Sequence, residues 1–353
     1  YAHESDRGRA AAAAAVRELC RNGHAVTAAL VQDRYAVRDP SSWENFAART
    51  LEDVAEFVEH VEIGHAINRV KWGIWGFDEY RRLLDGVLRV AGSYPGVRFI
   101  GPAAIDFEYA FTLAALRRFP ARLRLDALSH HLYVDRRGAP ENAQNGFTTL
   151  HKCALARAIA RVSPVCDDRV IVSEVNWPLS GTGVYSPVNS PYESPGERNN
   201  DPGVSEDKYG DYMIRYLLIT LCSGFVDRVF WWRLAARGFG LVDDSDAEDW
   251  RRRPAFHMLK AFLRHAGNAV FAGCETAGDG SRGRFFRFER EDGSRLRLGY
   301  AAGGPVTVPC PAETAAVLDG LGRDKGAVPE QITLDGRPVF LLVSAGSRGG
   351  SGQ

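Results

Sequence analysis

Apolar positions fall into two kinds of segment that alternate along most of the chain. One kind has the spacing of an amphipathic helix and the other consists of short continuous or alternating apolar runs. Helices are predicted over residues 9–22, 43–58, 77–90, 109–119, 147–162, 208–223 and 254–265. Gly23 stops the first, and Asp39-Pro-Ser-Ser announces the second. Strands are predicted over 24–31, 60–67, 97–105, 125–134, 169–175 and 226–234. Such alternation makes βαβ units and a parallel sheet, either doubly wound or closed into a barrel. After residue 266 the pattern changes to short runs at 285–289, 295–300, 305–309 and 339–343, separated by Gly, Asp and Pro, which predict a small antiparallel β domain. The Gly/Ser-rich end from Ser344 predicts a flexible tail.

No strand is followed by a Gly-rich phosphate loop, which weakens a nucleotide-binding sheet. Polar and aromatic residues gather instead just after several strands, the habit of a (β/α)8 TIM barrel, whose site is built from its βα loops. The expected organisation is a TIM barrel over 1–266, a β-sandwich-like domain over 267–345 and a tail over 346–353.

Composition narrows the partners. The 353 residues carry 44 Lys+Arg and 44 Asp+Glu, so no bulk field draws the chain to nucleic acid or an anionic membrane. No apolar run is long enough to span a bilayer. Cys20, Cys153, Cys166, Cys222, Cys274 and Cys310 are dispersed, without the paired spacing of a zinc site or a disulfide framework. No metal and no cofactor are expected. These features fit a cytoplasmic or a periplasmic or secreted location equally.

Five strand ends carry candidate chemistry. Arg169-Val-Ile-Val-Ser-Glu-Val-Asn-Trp177 is an apolar strand closing on a carboxylate, Glu174, beside Asn176 and Trp177. A carboxylate so placed either pairs structurally or performs chemistry. In Val61-Glu-Ile-Gly-His-Ala-Ile-Asn68, period-two alternation puts Glu62, Gly64 and Ala66 on one face and Ile63, His65 and Ile67 on the other. Glu62 then reads as an ion-pair member, while Asn68, Lys71 and Trp72 fall in a loop where ligands bind. In Leu128-Ser-His-His-Leu-Tyr133 the adjacent His130 and His131 point to opposite sides, which disfavours joint chelation of a metal. Trp231 and Trp232 end a strand, as core residues or as aromatic platforms for a sugar ring. Asp106 ends another strand, as a ligand-facing group or as the cap of the next helix. The long segment 178–206, with Tyr185, Tyr192, Glu193, Glu197 and Arg198, is either a lid over the site or a surface excursion.

Taken in order, these strand ends resemble the clan A retaining glycoside hydrolases, with the β-xylosidase/iduronidase-like group nearest. The resemblance covers roughly residues 1–266 and rests on Glu62-Ile-Gly-His-Ala-Ile-Asn68, Ile100-Gly-Pro-Ala103, His131-Leu-Tyr133, Ser173-Glu174 and Trp231-Trp232. It implies a carbohydrate substrate, Glu174 as nucleophile, His131 and Tyr133 lining its pocket, and Trp232 as the floor of the sugar subsite. Asn68, Asn176, Trp177 and Trp231 would complete the substrate-binding wall.

The departure is at the acid/base. The family's Asn-Glu pair falls on His65-Ala66, and Ala66 transfers no proton. Retaining hydrolysis uses two carboxyls about 5–5.5 Å apart, and general acid–base help is worth about 10²–10⁴-fold. Three accounts stand side by side: Ala66 disables the enzyme by a deliberate substitution; the lineage lost hydrolysis and binds or assembles glycans; or His65, Glu62 or a carboxylate of 178–206 supplies the proton. Counted back from Glu174 on the seventh strand, the second strand survives only as Tyr1-Ala-His-Glu-Ser5, so the first βα unit is expected to lie outside this sequence.

Overall fold

The computed structural model describes residues 1–135, 138–184, 203–278 and 282–344. Six strands form one parallel sheet in sequential order: β1 (Thr27–Leu30), β2 (His60–Ile63), β3 (Arg98–Ile105), β4 (Leu125–His131), β5 (Val170–Val175) and β6 (Arg228–Trp231). Helices α1 (Asp6–Arg21), α2 (Arg34–Arg38), α3 (Pro40–Val54), α4 (Phe77–Ala91), α5 (Tyr109–Leu116), α6 (Thr149–Val162), α7 (Glu206–Leu221) and α8 (Pro254–Ala266) alternate with them. Between β6 and α8 the chain makes the short pair β7 (Val242–Asp243) and β8 (Arg251–Arg252).

The sheet is a curled half-barrel whose ends are β1 and β6, and among the described residues no ladder joins those two strands. Residues Tyr1 to Ser5 are not a strand. They turn, with Ala2 N donating to Val31 O at 2.8 Å, because Ser5 already caps α1 by accepting from Gly8 N. The strand expected over 60–67 stops at Ile63, since Gly64 (φ +89°) and Ala66 (φ +41°) enter the left-handed region and turn the chain.

Helix starts follow local chemistry. Asp39 Oδ1 accepts from Ser41 N and Ser42 N at the head of α3, and Thr148 and His151 form a reciprocal cap on α6. Alternation along the strands then sorts side chains. Val61, Ile63, Leu128, Val170 and Val172 join Trp43, Leu51, Leu84 and Met213 in the buried core between sheet and helices. Ile100, Ala127 and Ile171 form a separate, fully buried cluster, with Phe230 against it.

The two rims of the sheet differ. At the N-terminal ends of the strands a belt of ion pairs closes the half-barrel: Arg228 and Arg98 hold Glu59 at 2.6 and 3.3 Å, while His60 and Arg169 converge on Asp126 at 2.5 and 2.6 Å. Arginine donation from Arg228 holds the Glu59 carboxyl below its ordinary range. The candidate residues lie at the opposite rim, the arrangement in which one end serves stability and the other function.

The C-terminal region is antiparallel. Strands β9 (Val270–Ala277), β10 (Gly283–Glu289), β11 (Arg295–Ala301), β13 (Thr314–Leu318) and β15 (Val339–Val343) form a sheet in the order β13-β15-β11-β10-β9, and β12 (Val306–Pro309) pairs with β14 (Gln331–Leu334). One face of the larger sheet has its own core of Phe285, Val317 and Leu341, with Ile332 and Leu334 from β14. The other face puts Phe286, Leu298, Tyr300 and Phe340 into the main core. Arg215 of α7, almost fully buried, pairs with Glu141 and reaches Gly336 O. The tail expected over 346–353 lies outside the described residues.

Arg253 fastens the segment between β6 and α8. Its guanidinium, 1% exposed, donates to Ala236 O, Arg237 O and Gly240 O and pairs with Glu206 and Asp243. Arg253→Met leaves those acceptors buried without a donor and is expected to cost about 3 kcal/mol or more in urea unfolding; a loss below 1 kcal/mol would show that the clamp is dispensable.

Candidate active site

The site begins with an irregularity in β5. Val172 pairs with Val229 and Val175 with Trp231, so Ser173 and Glu174 together face a single residue of β6. A bulge of this kind re-aims a side chain. Both Ser173 and Glu174 are half-buried, whereas strict alternation would send one of them into the helical layer.

Tyr133 Oη donates to Glu174 Oε1 at 2.5 Å. His65 Nε2 lies 3.8 Å from Glu174 Oε2, and His131 Nδ1 lies 4.0 Å from Oε1. The two imidazoles face each other with ring centroids 4.6 Å apart, and Trp72 meets His65 edge-on at 4.3 Å. Glu174, His65, His131 and Tyr133, predicted from three separate strand ends, are thus brought together.

Electrostatically the pocket disfavours added charge. Burial pushes His65 down to about 3, with His131 and Lys71 adding to the shift and Glu174 opposing it. Burial, with a smaller contribution from His130, pushes His131 to about 3 as well. Both rings are therefore neutral at ordinary pH. Glu62 lies one layer deeper, in register with Ile100 of the inner apolar cluster. Burial raises its carboxyl from 4.5 to about 7; Ser129 and Ser173 draw it back and the Glu174 charge pushes it up. Even so, Glu62 Oε1 and the two serine hydroxyls have no partner in hydrogen-bonding geometry. Glu62 is not the ion-pair member that alternation suggested, because no cation reaches into this layer among the described residues.

Other expected contacts fall elsewhere. Asn68 is spent on structure: its amide nitrogen donates to Ile105 O and Glu108 Oε2, and its Oδ1 accepts from Ile105 N. It clamps the β2 loop to the end of β3. Trp177 is fully buried, donates to Gly138 O at 2.9 Å and stacks on Trp231 at 5.7 Å, so its ring is a support rather than a platform. Trp231 is half-buried and donates to Tyr209 Oη at 2.8 Å. Trp232, also half-buried, has the Arg233 guanidinium 5.1 Å from its ring centre. Asn176 is buried, with Oδ1 unpartnered. Ala66 is 1% exposed in the loop after β2. His130 turns away from the pocket, as adjacency predicted, to bond Asp106 O at 2.7 Å and stack on Tyr109. Asp106 holds Arg69 at 2.7 Å and does not cap α5.

One contributor escaped the sequence argument. Gln32, 1% exposed and just past β1, clamps the His65 backbone by donating to its O at 2.8 Å and accepting from its N at 2.9 Å. A polar residue closing the apolar run Ala29-Leu-Val31 was the available signal. Residues Tyr185, Tyr192, Glu193, Glu197 and Arg198 of the expected lid lie outside the described residues.

Comparison with protein-family models finds no match, and comparison with curated proteins finds none. Solved structures do resemble it. A glucosidase from Croceicoccus marinus aligns with TM-score 0.59 at 14% identity over 93% of this chain and 80% of that one. A family 51 α-L-arabinofuranosidase from Bifidobacterium longum gives 0.59 at 13% identity over 94% and 78%. An α-L-arabinofuranosidase from Thermotoga maritima gives 0.53 at 12% identity over 86% and 73%. At such identities the likeness is one of fold: the chain has the fold of glycoside hydrolases, and no helix among the described residues is long and apolar enough to cross a membrane.

The raised Glu62 carboxyl sets a pH dependence. Its folded value lies above the unfolded one, so the stability it permits is complete below about 4.5 and is lost as pH rises through about 7. Relative to Glu62→Gln, the wild-type protein should lose about 3 kcal/mol between those limits, read from urea unfolding across pH. Parallel curves for the two proteins would contradict a protonated Glu62.

Proposed function

We propose that the protein is a glycoside hydrolase-like barrel (residues 1–266) with an appended β domain (267–345), acting on a sugar of a polysaccharide or glycoconjugate, with Glu174 as its nucleophile. The observation that carries this is the Tyr133–Glu174 hydrogen bond of 2.5 Å at the C-terminal rim of the sheet, which occupies Oε1 and leaves Oε2 to attack. Attack on the anomeric carbon would form a glycosyl ester as the bond to the leaving oxygen breaks; water then hydrolyses the ester. The neutral His65 and His131 would accept or donate hydrogen bonds to sugar hydroxyls without competing for the carboxylate charge, and Trp232 would support the ring. The clan A assignment, a bacterial lineage and each of these roles belong to the proposal.

Ala66 limits the first step. Without a carboxyl there, a leaving group must depart unaided, so only activated aglycones are turned over readily. A 2-fluoro glycoside with a dinitrophenyl leaving group should label Glu174, as found by peptide mass mapping, and Glu174→Gln should abolish labelling. Ordinary alkyl glycosides should turn over about 10²–10⁴-fold more slowly than expected for a complete acid/base pair, and azide should accelerate turnover of the activated substrate. Tyr133→Phe should slow labelling about tenfold or more. A label on another residue, or none with any sugar, would remove Glu174 from the nucleophile role.

A second reading, a non-catalytic protein that binds or assembles glycans, is favoured by the buried Ala66 methyl where a proton donor is required. Binding to a glycan array with no turnover of activated aryl glycosides selects it.

A further inference from the structure

The pocket has a donor set suited to a different ligand. We propose that His65 Nε2, His131 Nδ1 and a Glu174 carboxylate oxygen form a site for one divalent transition-metal ion of the zinc type, whose binding withdraws Glu174 from attack. The second half of that statement rests on the glycosidase reading; the first does not.

Two observations converge. The ligand atoms of His65, His131 and Glu174 all lie within 4.8 Å of one another, with 3.8 and 4.0 Å from the histidines to the carboxylate. Metal–ligand bonds of about 2.0–2.2 Å need donors somewhat closer together than this, a closure of about 1 Å around the ion. Second, His131 Nδ1 is buried, on a ring 1% exposed, and has no hydrogen-bond partner, a condition that costs about 1–3 kcal/mol unless something else occupies the lone pair.

The surrounding contacts are those a ligand set needs. Tyr133 fixes the carboxylate through Oε1, and Gln32 fixes the backbone of His65 from both sides. Two imidazoles and one carboxylate suit Zn²⁺, Co²⁺ or Ni²⁺; Mg²⁺ and Ca²⁺ prefer oxygen-rich shells that this pocket lacks among the described residues. Three protein ligands leave a position for water or a sugar hydroxyl.

The test uses the whole metal-free chain and zinc alone. Calorimetry should give one zinc per chain, and His65→Asn and His131→Gln should each weaken binding at least about tenfold, with far-UV circular dichroism reporting their fold. X-ray absorption at the zinc edge on the wild-type protein should show two imidazoles and a carboxylate, a readout independent of the variants. No binding at millimolar zinc, or binding that both folded variants retain unchanged, overturns the site. Zinc in excess should also protect Glu174 from the fluoro glycoside, and a chelator should restore labelling. Labelling without zinc binding overturns the metal site alone; zinc binding without labelling of the metal-free protein upholds the site and overturns the nucleophile.

Discussion

The site depends on one local departure from regular pairing, the bulge that sets Ser173 and Glu174 against a single residue of β6. A parallel strand buried on both faces divides its side chains strictly between the helices and the interior. The extra residue breaks that division at the last turn of the ladder and allows a carboxylate to face the interior beside a serine. Tyr133 then supplies the hydrogen bond that a half-buried carboxylate requires, and the neighbouring histidines remain neutral because the same burial makes a second charge costly.

The rest of the half-barrel is arranged so that this rim can tolerate unsatisfied groups. At the opposite rim Glu59 and Asp126 are met by Arg98, Arg169, Arg228 and His60, a network in which each carboxylate has several donors. At and just beneath the candidate rim Glu62 Oε1, Ser129 Oγ, Ser173 Oγ, His131 Nδ1 and Asn176 Oδ1 are buried without partners, while His60 Nδ1 is so placed at the opposite rim. Buried polar atoms are normally paired. Several of them around one carboxylate, Glu174, are a physical reason, separate from resemblance, for looking for chemistry there.

On the proposed glycosidase reading, proton supply is the function the site lacks. Ala66 contributes a buried methyl, and the carboxyl that shares an electrostatic environment with Glu174 is Glu62, one layer deeper and held protonated up to about pH 7. The same inventory, two neutral imidazoles and one carboxylate around a small space, is what makes metal coordination a coherent alternative use of the pocket.

Much of this was legible in the chain itself. Alternating periodicity placed all six strands of the parallel sheet, because each is short, apolar and bounded by turn residues, and it placed Glu174, Tyr133 and His131 at strand ends that a parallel sheet must gather on one rim. It also turned His130 away from His131, since neighbours on a strand point apart. What periodicity cannot carry is a break in itself. The strand at His60 ends at Ile63 because Gly64 and Ala66 adopt positive φ, and the β5 bulge needs β6 beside it to exist at all. Nor do residue types reveal where their hydrogen bonds go: Asn68 and Trp177 looked like ligands for a sugar, yet the carbonyls of Ile105 and Gly138 claim them. Sequence alone determined which groups reach the rim; tertiary structure decided which of them stay unsatisfied there, because satisfaction depends on partners distant along the chain.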